Sequence, residues 1–231
     1  MPYYYGFDST YILVIIGIII TMIAQANVQK AFAKYSKIPT KKHITGKQTA
    51  DYILDTRNYD DIKIKKINNA MGDYFNPATK EVALSPESIS DTSIASVAVA
   101  AHELGHVIQY KEGYKPLQIK SWLVPAVNFG SKLSFPILLL GMFLTSQNLI
   151  DVGLVLFSLT LIFQIVTLPV EFNASRRALD ILEESGMLVG EENTYAANML
   201  KAAAYTYVAA TLATALQFLR ILLLFGNRNK D

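Results

Sequence analysis

The chain has 231 residues and a formal net charge of +2, and it is 52% hydrophobic but only 17% charged. Soluble domains hold about 25% charged residues, so this composition excludes a disordered chain and argues against a simple soluble globule, and the near-balanced charge leaves no footprint for nucleic acid. Without cysteine there are no disulfides, no thiolate metal ligands and no cysteine nucleophile.

From the N-terminus, Ser9 to Gln29 carries no charge. The flank before it holds Asp8 but no Lys or Arg, and no small-residue cleavage site follows, so the run is expected to be an uncleaved anchor. Lys30, Lys34, Lys37, Lys41 and Lys42 come next, which by the positive-inside rule places residues 30 onward in the cytoplasm. His43, beside two of these lysines, reads as a solvated loop residue. A helix is expected from Thr45 or Gly46 to about Arg57, then a short strand around Ile62, Ile64 and Ile67. Tyr74-Phe75 and Glu81 to Ser85, joined through Asn76-Pro77, read as a hairpin. Asp91 is the expected N-cap of a helix from Thr92 to about Glu112, with Gly113 as its stop.

The uncharged Ser121 to Ser131 is expected to lie along the membrane surface. Three more charge-free runs follow: Leu133 to Ile150, Val152 to Val170, and Ala202 to Leu219. Each of the four runs is long enough as a helix to cross about 30 Å of hydrocarbon. The link Ser146 to Asp151 lacks basic residues and suits an outside loop, and Arg176 and Arg177 return the chain inside. Arg220, Arg228 and Lys230 fit less well with a C-terminus outside. No internal repeat or low-complexity segment is visible.

The chemistry is concentrated in His102-Glu103-Leu104-Gly105-His106. A spacing of four puts both imidazoles on one helix face, where they can share one metal ion. Glu103 lies about 100° further round. There it can reach a water on that metal without being a ligand, and accept its proton. The alternative is two solvated or core histidines. A catalytic zinc takes three protein ligands and keeps one position open, so without cysteine the third must be His, Asp or Glu. Glu112 would point away from the histidine face. The uncharged Thr92 to Ala101 is too short for this helix to span a membrane, which leaves a carboxylate on another helix. Glu171, directly after the third long run, is the strongest candidate; the alternative is an interface carboxylate paired with Arg176 or Arg177.

His-Glu-Leu-Gly-His followed, after a hydrophobic run, by Glu171-Phe172-Asn173-Ala174-Ser175-Arg176-Arg177-Ala178 resembles the membrane-embedded gluzincin metallopeptidases. The HtpX-like enzymes, with a Glu-Phe-x-Ala-Asp motif, are the broader relatives. The closer resemblance is to the YugP-type family of bacterial neutral zinc metallopeptidases. It is carried also by Leu84-Ser85-Pro86, Ala100 to Gln109, Glu112-Gly113-Tyr114, Leu123-Val124-Pro125 and Leu168 to Ala178, and so runs over nearly the whole chain. It implies a mainly α fold, a polytopic helical membrane protein of about four transmembrane helices with a small zincin-like α+β catalytic unit. The expected division is an anchor (1–36), a cytoplasmic zincin-like unit (37–120) and a transmembrane bundle carrying the third ligand (121–231).

The resemblance implies one Zn2+ per chain on His102, His106 and Glu171, with Glu103 as base, in a multi-pass protein of the bacterial inner membrane whose site faces the cytoplasm. Two imidazoles and a carboxylate suit zinc, although Mn, Co or Fe bind the same set. Many gluzincins carry an Asp four residues after the ligand Glu; here Ser175 stands there and gives the ligand histidine weaker support. Arg176, Tyr205 and Tyr207 are candidate oxyanion donors, the tyrosines equally candidate interface anchors. Val82, Ala83 and Leu84 are the candidate edge strand for an extended peptide. The expected partners are the bilayer and a polypeptide substrate, unfolded or membrane-associated. The alternatives are a zinc-binding membrane scaffold without proteolysis and a zinc hydrolase of a non-peptide amide or lipid.

Overall fold

The computed structural model describes residues 8–69 and 72–225; Arg228 and Lys230 lie outside them. The elements are α1 (Tyr11–Tyr35), α2 (Gly46–Thr56), β1 (Lys63–Lys66), β2 (Tyr74–Asn76), β3 (Glu81–Leu84), α3 (Pro86–Ser90), α4 (Ile94–Lys111), α5 (Lys115–Phe143), α6 (Gln147–Glu184) and α7 (Glu191–Phe225). The fold is mainly helical with one small sheet, as expected, and α1, α5, α6 and α7 are four helices long and apolar enough to cross a membrane. By its contacts the chain divides into two compact units: Met1–Ala24, Ile119–Thr167 and Thr206–Asp231 form one, Gln25–Gln118 and Leu168–Tyr205 the other.

In the first unit large apolar side chains face outward: Ile12, Met22, Phe135, Phe143 and Val155 are all exposed. Such a surface suits hydrocarbon, because lipid tails are as apolar as these residues and helices there associate by close packing instead. Gly17 accordingly lies against Ala213, and Gly130 against the Leu156 carbonyl. Leu138, Ile150, Leu154 and Ile221 form a small core, beside which Phe157 stacks on Phe218 at 6.1 Å between ring centroids. Arg220, the lone charge in the apolar part of α7, lies 4.1 Å over the Tyr11 ring, a cation–π contact that gives it a local partner.

The second unit has a conventional core. Thr45 caps α2 in a capping box with Gln48, and Ala50, Ile53 and Leu54 join one buried core with the alanine-rich face of α4, Leu182 and Leu188. The sheet order is β1-β3-β2, β1 parallel and β2 antiparallel to β3. The expected hairpin is present: Asn76 Oδ1 accepts from the Ala78 N–H at 2.9 Å and shapes its turn.

Three local expectations are corrected. Ser93, not Asp91, caps α4, accepting from the Ser96 N–H at 3.2 Å; Ser85 and Pro86 start the separate α3, which ends at Asp91. Ser121–Ser131 is not a distinct surface segment but part of α5, which carries Pro125 and Pro136 within it. The run Leu133 to Ile150 is not one span: α5 stops at Phe143 and α6 begins at Gln147. Missing charge marks hydrocarbon-compatible sequence, whereas helix ends are set by backbone geometry, here by Thr145 at φ +50°.

Asp61 ties the end of α4 to the hairpin, accepting from Lys111 and, at 3.0 Å, from Lys80. Those two hydrogen bonds hold its carboxyl down at about 2. A depressed carboxyl pKa stabilises the fold above the unfolded value, near 3.8, and the contribution is lost as pH falls toward about 2. Chemical unfolding of wild type and Asp61→Asn is therefore expected to differ by a constant small amount above about pH 4, with the gap closing in more acid solution.

Candidate metal centre

The site is built by α4 and α6. On α4 the core face is filled by Val97, Ala98, Ala101, Leu104 and Ile108, which leaves His102 and His106 on the side turned to α6. α6 does not stop at the end of the third apolar run. It continues to Glu184, so Glu171 sits inside a helix and is buried. Gly105, between the two histidines, allows the helices to meet: a Cβ there would stand 2.4 Å from the Ala174 carbonyl oxygen. Only a hydrogen at that position lets the backbones come close enough for a Glu side chain to reach both rings.

Glu171 Oε2 lies 3.4 Å from His102 Nε2 and 3.6 Å from His106 Nε2. The three donor atoms all fall within 4.8 Å of one another. With bonds of 2.0–2.1 Å, adjacent donors of tetrahedral zinc are about 3.4 Å apart, so the carboxylate–imidazole spacings fit such an ion closely. The two rings stand edge to face, 4.8 Å apart at 82°.

Both Nδ1 atoms have polar neighbours. Ser175 Oγ is 3.2 Å from His102 Nδ1, and Gln109 Oε1 is 3.0 Å from His106 Nδ1. Ser175 supports a histidine from one turn beyond Glu171, where the sequence places it. Gln109, Asn173 and Arg177 take part as well; of these the sequence assigns a role only to Arg177, as an alternative partner of Glu171, and it pairs with Glu112. The signal for Gln109 is its position, a polar residue one turn past His106 on the same helix.

Glu103 is buried as well. Burial pushes its carboxyl above the ordinary range; His102 and His106 pull it back, and Glu171 and Asp73 add to the rise. For His106 burial works against the imidazolium, but the adjacent Glu171 and Glu103 and the Gln109 amide outweigh it, leaving the ring above its ordinary value. The site thus concentrates negative potential in a poorly hydrated place, the setting a bound cation relieves.

The remaining candidates lie elsewhere. The Arg176 side chain is 82% exposed and faces Asp180 at 3.8 Å, whereas its neighbour Arg177 turns inward to Asn173 and Glu112. Tyr205 and Tyr207 are exposed on α7, Tyr205 with Lys201 over its ring. Val82, Ala83 and Leu84 do not form an edge. β3 is the central strand, with β1 on one side and β2 on the other, so its backbone groups are already engaged. β2 borders the sheet next to α4, Phe75 lying 5.6 Å from the Tyr110 ring. Its other side carries no strand among the described residues.

Fold and site together define a helical membrane protein with a His–His–Glu metal-site geometry held between two helices. The chain belongs to the family described as "putative neutral zinc metallopeptidase", which matches residues 10–226. It is 39% identical over 204 residues to the "putative membrane protease YugP" of Bacillus subtilis (strain 168), covering 88% of this chain and 91% of that protein. No solved structure matches it.

Ser175→Ala is expected to weaken metal binding by up to about tenfold and Ser175→Asp to strengthen it, because a carboxylate accepts the His102 N–H more strongly than a hydroxyl does. Chelator competition on the purified protein measures both.

Proposed function

We propose that the chain is a gluzincin-type endopeptidase of the bacterial cytoplasmic membrane that hydrolyses peptide bonds with one Zn2+ per chain, held by His102, His106 and Glu171. The observation that carries this reading is the convergence of those three donors, from two helices, within 4.8 Å of one another, with the buried Glu103 next to His102 in the chain and in electrostatic reach of His106 and Glu171. When bound, zinc supplies Lewis acidity toward water and the scissile carbonyl. Glu103 takes a proton from the attacking water and returns it to the departing amide nitrogen. Ser175 steadies the His102 ring.

The open side of β2, beside α4, is the natural place for an extended substrate to add as a further strand, through backbone hydrogen bonds that are indifferent to sequence. That mode favours unfolded or membrane-associated polypeptides. The lysines from Lys30 to Lys42 support a cytoplasmic site. Arg176, Tyr205 and Tyr207 remain candidate oxyanion donors only if substrate draws them in, since Arg176 and Tyr205 have other partners and both tyrosines are exposed. A pure scaffold would need the ligands but not a buried carboxyl beside them, and a hydrolase of lipid or a small amide would have no use for an open strand edge.

Glu103→Gln in the full-length, detergent-solubilised protein is expected to retain zinc and lose cleavage of an unstructured polypeptide by at least about a thousandfold. Cleavage is followed by gel and mass spectrometry and metal content by elemental analysis. Equal cleavage by the variant would remove Glu103 as base, and bound zinc without cleavage by the wild type would favour the scaffold.

A further inference from the structure

Gln109 is not part of the two-histidine motif, yet it is fully buried. A buried amide is costly unless its polar atoms are satisfied, and the partners of this one fix its direction. Gln109 Nε2 lies 2.8 Å from the Val170 carbonyl oxygen, which can only accept. It also lies 2.9 Å from Asn173 Oδ1. That atom is identified as the Asn173 oxygen because Arg177 Nε, which can only donate, approaches it at 2.8 Å. Both contacts turn the Gln109 nitrogen to α6, which leaves its oxygen on His106 Nδ1 at 3.0 Å. A ring nitrogen facing a pure acceptor must carry a hydrogen. The neutral His106 ring is therefore held as the Nδ1–H tautomer, because Nε2 faces Glu171 Oε2 only at 3.6 Å, beyond hydrogen-bond distance.

We infer that Gln109 is a positioning residue that sets the His106 tautomer before metal binds and couples that choice to α6, one residue from Glu171. The inference rests on His106 and Glu171 being metal ligands. One amide makes both connections, so the ring cannot be released without also freeing the Val170 carbonyl. Arg177 closes the loop back to α4 through Glu112 Oε2 at 2.6 Å. The His102 side lacks this property. The Ser175 hydroxyl both donates and accepts, so its 3.2 Å contact permits either tautomer of His102. The two ligand histidines are thus held by different means, and the fixed one is His106.

The chain has three histidines, few enough for nitrogen-15 spectra of the ring atoms to resolve each in detergent micelles, with His43→Gln and His102→Gln variants giving the assignment. In metal-free wild-type protein, above the imidazole titration range, His106 is expected as the Nδ1–H form. Gln109→Met, close in shape but without polar atoms, is expected to release the ring to a mixture with the Nε2–H form and to weaken Zn2+ binding about ten- to a hundredfold in chelator competition. Gln109→Glu keeps an acceptor on Nδ1. It loses the donor to Val170 and Asn173, so it is expected to preserve the tautomer but to recover only part of that loss, and it carries the tautomer comparison if the Met variant does not fold. A mixed tautomer in the wild type, or an unchanged tautomer with unchanged Zn2+ affinity in Gln109→Met, overturns the inference. Failure of the wild type to bind Zn2+ is a different result: it overturns the metal centre, while the tautomer is still read on the metal-free protein.

Discussion

The site depends on a single backbone contact. α4 and α6 meet where Gly105 faces the Ala174 carbonyl, with no room between them for a side-chain carbon. A Glu side chain is short, and it reaches two imidazoles on a neighbouring helix only if the helix backbones nearly touch. The contact also sets rotation. With Ala174 against Gly105, Glu171 lies one turn back along α6 and Ser175 one residue on, so the same approach delivers a third donor to both histidines and a supporting hydroxyl to His102.

Around that contact the polar groups form two arms of unequal stiffness. On one side a hydroxyl meets His102; on the other a series runs from Gln109 on α4 through Asn173 and Arg177 on α6 back to Glu112 just past the end of α4. Gln109 is buried and Asn173 and Arg177 are half-buried, each held against another of these groups, and the exposed Glu112 ends the series. The net effect is a carboxylate-rich centre, Glu171 beside Glu103, inside a unit whose surroundings are mostly alanine, valine and leucine. Glu171 raises the proton affinity of Glu103. A divalent cation removes that conflict, and the physical case for a metal therefore comes from charge as well as from donor spacing.

The chain answers to two solvents. The unit containing the apolar parts of α1, α5, α6 and α7 leaves large aliphatic and aromatic side chains exposed and packs through small residues and a few aromatic rings. The unit containing the site buries its aliphatic residues in one core, as a water-soluble domain does. α6 contributes to both. Its residues up to Thr167 belong to the first and those from Leu168 to the second, and the change of composition along the helix, from an uncharged run to Glu171, Arg176, Arg177 and Asp180, marks the boundary.

The amino-acid sequence by itself determined the four apolar helices, the hairpin, the helix carrying His102, Glu103 and His106, and the candidacy of Glu171. These follow from local rules: charge-free length, the period of a helix, turn residues and the four-residue spacing of two ligands. It placed helix ends poorly, putting the α4 cap at Asp91 and joining the end of α5 to the start of α6, because such boundaries depend on backbone hydrogen bonds that composition does not record. Only the tertiary structure decided that β3 is enclosed while β2 borders the sheet, since strand order is a matter of pairing between segments distant in sequence. Only it showed that Arg177 turns inward while Arg176 does not, and that Gln109 joins α4 and α6. An amide or guanidinium acquires a role from what is packed against it, and for Gln109 those neighbours are Val170 and Asn173, more than sixty residues away along the chain.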